Sequence, residues 1–71
     1  MKAGEFIHKI KKLGRKRGVT VNWNPRHGKG SHGRLWYGDR FTTVKSLHHE
    51  LSRGLLHEML AQLGLTKADL A

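Results

Sequence analysis

The sequence predicts an α+β fold in the order α-β-β-β-α: a three-stranded antiparallel sheet with two helices on one face. Three observations predict it. Apolar residues recur at helical spacing near both ends, over 3–17 and 54–63. Residues 19–24 alternate apolar and polar, as a half-buried strand does. Gly38-Asp39 stands between two further strand-like runs as a tight hairpin turn.

The elements follow in order. In 3–17, Phe6, Ile7, Ile10 and Leu13 make one apolar face, and the lysines fall mostly off it. Gly14 is a possible early end to the regular turn, and Gly18 is the better stop. In 19–24, Val19, Val21 and Trp23 face one way, and Thr20, Asn22 and Asn24 the other. Pro25 ends that strand, because it has no backbone N–H to give a ladder. Residues 25–30 form a basic, glycine-rich loop. Residues 31–37 read as the second strand, with Gly33, Leu35 and Tyr37 on one face and His32, Arg34 and Trp36 on the other. Residues 40–44 are the third strand. After a connection over 45–53, Leu55, Leu56, Met59, Leu60 and Leu63 form the stripe of the second helix. Gly64 caps it, with Leu65 folding back in a Schellman-type contact. Thr66-x-x-Asp69 opens a last helical turn in the manner of a capping box. Helices on one face leave the opposite sheet face open. That face would carry Thr20, Asn22, Asn24, His32, Arg34 and Trp36.

Composition narrows the function. The 71 residues include 14 Lys or Arg against five Asp or Glu, a formal charge of +9, with six His in reserve. Six of the cations, Lys9, Lys11, Lys12, Arg15, Lys16 and Arg17, lie within residues 9–17. Such a balance implies a polyanionic partner, and nucleic acid is the commonest. One domain, 1–71, is expected, since two do not fit this length. No transmembrane helix or secretory signal is expected, because charge interrupts every apolar run. Zero Cys removes disulfides and Cys-based zinc sites. No membrane partner is expected, and the location is expected to be cytoplasmic.

His32 is the candidate for chemistry. It follows the basic loop and shares its predicted face with Arg34 and Trp36. Arg offers phosphate fixed, paired donors. Trp stacks on an unpaired base. An imidazole takes a proton from a ribose 2′-OH or gives one to a leaving oxygen. Arg26, His27 and Lys29 in the loop are candidate RNA contacts, and His27 is also a candidate second acid–base group. The bland alternative is that His32 is an exposed strand histidine and Trp36 packs under a loop. The His48-His49 pair, with His57 further on, raises metal binding, but Cys is absent and carboxylates are few, so no metal ligand is assigned. Ser31 points away from His32 on a strand and is a poor nucleophile for it.

Gly30-Ser31-His32, a strand, then Gly38-Asp39-Arg40-Phe41-Thr42-Thr43-Val44 resembles the core of the HicA-type toxins. Glu50-Leu51-Ser52-Arg53-Gly54-Leu55-Leu56-x-x-Met59-Leu60-x-x-Leu63-Gly64-Leu65 resembles that family's second helix and its closing Leu-Gly-Leu. Ile10-Lys11-Lys12-Leu13-Gly14 fits the opening helix. The similarity spans nearly the whole chain. Gly-Ser-His alone is common, and the ordered combination is more specific. The resemblance implies the toxin of a type II toxin–antitoxin pair, with a double-stranded-RNA-binding-like fold. It implies an endoribonuclease that cleaves mRNA independently of the ribosome, with no metal or other cofactor, and a HicB-type antitoxin that masks the site. The family's active histidine lands on His32. Members often carry a second His next, where this chain has Gly33, so the general acid stays unassigned. In the expected mechanism Lys29 and Arg34 steady the phosphorane oxygens. The products are a 2′,3′-cyclic phosphate and a 5′-OH.

Two rival readings keep the fold. One is a non-catalytic RNA-binding module. The start of the second helix, Ser52-Arg53-Gly54-Leu55, has one basic residue, which argues for a single-stranded rather than a duplex ligand. The other is a basic protein that binds an acidic partner.

Overall fold

A computed structural model describes residues 1–25 and 32–70. The helix α1 (Ala3–Arg17) is followed by strands β1 (Val21–Asn24), β2 (Gly33–Tyr37) and β3 (Arg40–Val44), then the helix α2 (Arg53–Gln62) and a 3₁₀ turn at Lys67–Leu70. The sheet is antiparallel in the order β1-β2-β3. The expected α-β-β-β-α architecture is therefore the observed one.

α1 packs on β1 and β2, and α2 on β3, so both helices lie on one face. Phe6, Ile7, Ile10 and Leu13 of α1 meet Leu35 and Val44 of the sheet and Leu56, Met59, Leu60 and Leu63 in one buried cluster. Trp23 packs against its margin, half-buried. Thr42 is the buried polar side chain on this face, and its hydroxyl donates to Gln62 Oε1. Arg40 donates to the α2 terminal carbonyls of Gln62 (3.0 Å) and Ala61 (3.4 Å), and so satisfies groups a helix end leaves open.

α1 ends at Arg17 with Gly18 as its stop, as expected, and three boundaries differ from the sequence reading, each for a local reason. Gly14 does not end α1. It lies buried inside the helix, and a Cβ there would come within 2.3 Å of Val21 Cγ2 and 2.7 Å of the Val19 carbonyl. Its role is close approach of helix and strand. β1 begins at Val21 rather than Val19, because the Val19 N–H turns back to the Gly14 carbonyl (2.8 Å). β2 begins at Gly33, with His32 ahead of the ladder and Ser31 outside the described residues. Its last pair with β1 is Asn24–Arg34, and Pro25 follows with no donor to continue. α2 runs one residue earlier than expected, since the Ser52 hydroxyl accepts from the Leu55 N–H (3.2 Å) and sets the start.

The punctuation holds. Gly38 has φ 64° and is the first of two turn residues between the paired Tyr37 and Arg40. A II′ hairpin needs glycine at that first place, which explains the Gly-Asp order. At the end of α2, Gly64 has φ 76°, Leu65 N–H donates to Leu60 (2.8 Å) and Gly64 N–H to Ala61 (3.0 Å), the two bonds of a Schellman motif. The Asp69 carboxylate accepts from the Thr66 N–H at 2.7 Å, as the Thr-x-x-Asp spacing predicts.

Candidate functional site

The open face is the platform the alternation predicts, with one addition, Phe41, and one loss, His32. Thr20, Asn22 and Asn24 are exposed, and Arg34 and Trp36 are half-buried. The two-residue turn pairs Trp36 with Phe41 and Arg34 with Thr43. Phe41 is 39% exposed on this face. Its ring centroid lies 4.8 Å from that of Trp36, with the planes tilted by 40°. The Arg34 guanidinium carbon lies 4.5 Å from the centroid of the Phe41 ring. Such a contact holds the cation by the ring quadrupole and fixes its position. A pre-set guanidinium beside two aromatic rings suits a phosphate and its neighbouring base.

His32 does not extend this row. The β2 ladder stops at Gly33, and His32 lies exposed one residue ahead of it. It lines a hollow of about 160 Å³ at the end of the sheet. The floor is apolar: Val44, Leu51, Leu55 and Met59. The polar groups of the rim are His32, Thr43, Lys45 and His49. Lys45 also lines a neighbouring hollow of about 310 Å³ with Trp23, Pro25 and His48. An ammonium between two hollows is placed to meet a phosphate joining groups seated in each.

Gly33 bears on this geometry. It is buried, and a Cβ there would fall 2.5 Å from Trp23 Cη2 and 2.5 Å from the Asn24 carbonyl. The indole of Trp23 fills the space, so no second histidine fits at that position without displacing it.

Arg26, His27, Lys29 and Ser31 lie outside the described residues. The structure thus brings Arg34 and Trp36 together and sets His32 apart, at the end of the same strand. Sequence reasoning missed Phe41 and Lys45, and raised His49 only as half of a pair considered for metal. Phe41 and Lys45 carried a signal: counting outward from the Gly38-Asp39 turn sets Phe41 opposite Trp36, and puts Lys45 level with His32 one step past the last pair. The place of His49 beside His32 had no such signal, because it reaches the hollow through the fold of the connection between β3 and α2.

A second basic region lies on α1. Lys9, Lys12 and Lys16 line a hollow of about 380 Å³ with Leu13, Asp69 and Leu70. It is the larger hollow but contains no imidazole, so it suits binding rather than proton transfer. Arg17 is already engaged there, donating to Asp69 at 2.6 Å. Its guanidinium is held above the usual arginine range by hydrogen bonds to Asp69 first and Tyr37 second. Among the described residues, no three of His, Cys, Asp and Glu group as a metal site would require. No helix among them is long and apolar enough to cross a membrane.

Compared with protein-family models, with curated proteins and with solved structures, the chain finds no match. The class it belongs to is therefore stated by its architecture: an open-faced α-β-β-β-α domain with a cationic–aromatic platform and a histidine hollow.

Proposed function

We propose that this chain is a HicA-type toxin: an endoribonuclease that cleaves mRNA with His32 as acid–base group and is neutralised by a HicB-type antitoxin. Its place of action on this reading is the cytoplasm. The observation that carries the reading is His32 at the mouth of a small apolar-floored hollow, beside Lys45 and next along the chain to the Arg34–Trp36–Phe41 platform. The ordered motifs of the sequence supply the family. A single RNA strand laid along the open face would stack bases on Trp36 and Phe41 and present a phosphate to Arg34. The next scissile bond would then reach His32. The antitoxin would cover the same cationic face and compete with RNA.

The test is cleavage of single-stranded RNA in EDTA by the wild type beside His32→Ala. The wild type is expected to yield 2′,3′-cyclic phosphate ends, and His32→Ala to lose about 10²- to 10⁴-fold in rate, the usual worth of a positioned acid–base group. Undiminished cleavage by His32→Ala would remove His32 from the chemistry. RNA binding without cleavage by either protein would favour the non-catalytic module, a reading that the platform and the +9 charge also support.

A further inference from the structure

Cleavage of RNA through its own 2′-OH needs two proton transfers, at opposite ends of the reacting phosphorus. The 2′-oxygen loses a proton as it attacks, and the 5′-oxygen gains one as it leaves. The hollow at the end of β2 contains two imidazoles rather than one. His32 reaches it from the residue ahead of β2, and His49 from the connection between β3 and α2.

We propose that His49 is the general acid of this site, protonating the 5′-oxygen while His32 accepts the 2′-OH proton. The proposal rests on the ribonuclease reading above. The O2′–P bond forms as the P–O5′ bond breaks. The P–O5′ electron pair goes to the 5′-oxygen, which takes the proton from the His49 imidazolium. The 2′-OH proton ends on His32. The products are a 2′,3′-cyclic phosphate and a 5′-OH, and exchange with water restores both histidines. Lys45, on the same rim, faces the charge that gathers on the phosphorane oxygens.

Three observations single out His49. No other described imidazole besides His32 lines this hollow with it, and Lys45 on the same rim is taken up by the phosphorane charge: His48 belongs to the hollow beyond Lys45, and His57 to one beside Arg53. Glu50 is engaged with the Met1 amino group. The His49 backbone is also held in place. Its carbonyl accepts from the Ala3 N–H (2.9 Å), and its N–H donates to the Ser46 carbonyl (3.1 Å). On either side, Leu47 accepts from Gly4 and Leu51 donates to Met1, both at 2.9 Å. The first turn of α1 thereby straps the connection down, and a side chain on fixed backbone retains its aim.

The test compares two substrates: a single-stranded RNA that the wild type cleaves, and the same RNA with sulfur replacing the 5′-bridging oxygen at that bond. A thiolate leaves without being protonated, so the second substrate needs no general acid. His49→Ala is expected to cleave the oxygen-linked RNA about 10²- to 10⁴-fold more slowly than wild type, and the sulfur-linked RNA at close to the wild-type rate. His32→Ala is expected to be slow on both. His49→Gln, which preserves the bulk, is run beside His49→Ala, with circular dichroism to establish folding. Undiminished cleavage of the oxygen-linked RNA by His49→Ala overturns the proposal. Equal slowing on both substrates by the two folded His49 variants also overturns it, since a residue that only shapes the site would act so. A wild type that cleaves neither RNA overturns the ribonuclease reading and this proposal with it. An active wild type indifferent to His49 overturns the proposal alone.

Discussion

Phe41 shows how much one side chain decides here. A phenyl ring exposed on a sheet face costs solubility, and this one touches both groups most suited to RNA. It tilts against Trp36 and carries the Arg34 guanidinium on its face. Removing it would free Arg34 to swing and leave Trp36 without its aromatic neighbour. Phe41→Ala is expected to weaken single-stranded RNA binding by about 1–3 kcal/mol, the range for one stacked base. Because the ring lies outside the core, the melting temperature should move by only a few degrees. Fluorescence anisotropy and thermal unfolding would check the two halves separately. A full loss of fold with unchanged affinity per folded molecule would assign Phe41 to structure instead. The Trp36–Phe41 pair was legible in principle, because a two-residue turn dictates which residues face each other. It was missed by reading each strand alone.

At the scale of elements, the closing turn and α1 are joined by one carboxylate. Asp69 accepts from the Thr66 N–H at 2.7 Å, from the Thr66 hydroxyl at 3.2 Å and from Arg17 at 2.6 Å. The Thr66 N–H first and Arg17 second hold its carboxyl below the usual range. A carboxyl whose folded pKa is depressed contributes stability above its unfolded value, near 4. The contribution is lost as the pH falls through the folded value. Asp69→Asn is therefore expected to lower the melting temperature at neutral pH, and the difference from wild type is expected to shrink as the pH falls below the unfolded value and through the depressed folded one. A difference that stays constant from neutral to acid would show that the charge is irrelevant. Glu50 follows the same sign, held below the usual range chiefly by the Met1 amino group. The helices themselves were readable from their stripes. Gly18 was rightly preferred to Gly14 as the stop, but the reason for Gly14 was not legible, because it is a strand packed against it and no helical pattern records a neighbour.

For the whole molecule, charge lies on two sides of one sheet. Arg34 lies on the open face, whereas Lys9, Lys12 and Lys16 line the α1 hollow on the covered side. On the proposed reading, a strand of RNA on the platform would not touch those lysines. Binding should weaken with salt at a slope of about −0.7 per phosphate contacted. Arg34→Ala is expected to reduce the magnitude of that slope by about 0.7, and Lys9→Ala to leave it unchanged. Titrations across a range of salt concentrations would decide it. The reverse result would move the RNA to α1 and leave the open face to a protein partner. Absence of RNA binding even at low salt would favour the acidic-protein reading.

Local pattern alone determined the element order, the open face, the hairpin turn and both helix-end motifs. Each depends on residues within a few positions of one another, where periodicity and backbone geometry act directly. The same locality placed His32 at the head of β2 beside a basic run. Tertiary structure decided what His32 lies among. It ended the ladder at Gly33, filled the space above that glycine with Trp23, and brought His49 into the hollow by strapping the 45–52 connection to the start of α1. Those contacts join residues far apart in the chain. Packing selects them from many that the sequence pattern permits equally, and so the second imidazole emerged only from the fold.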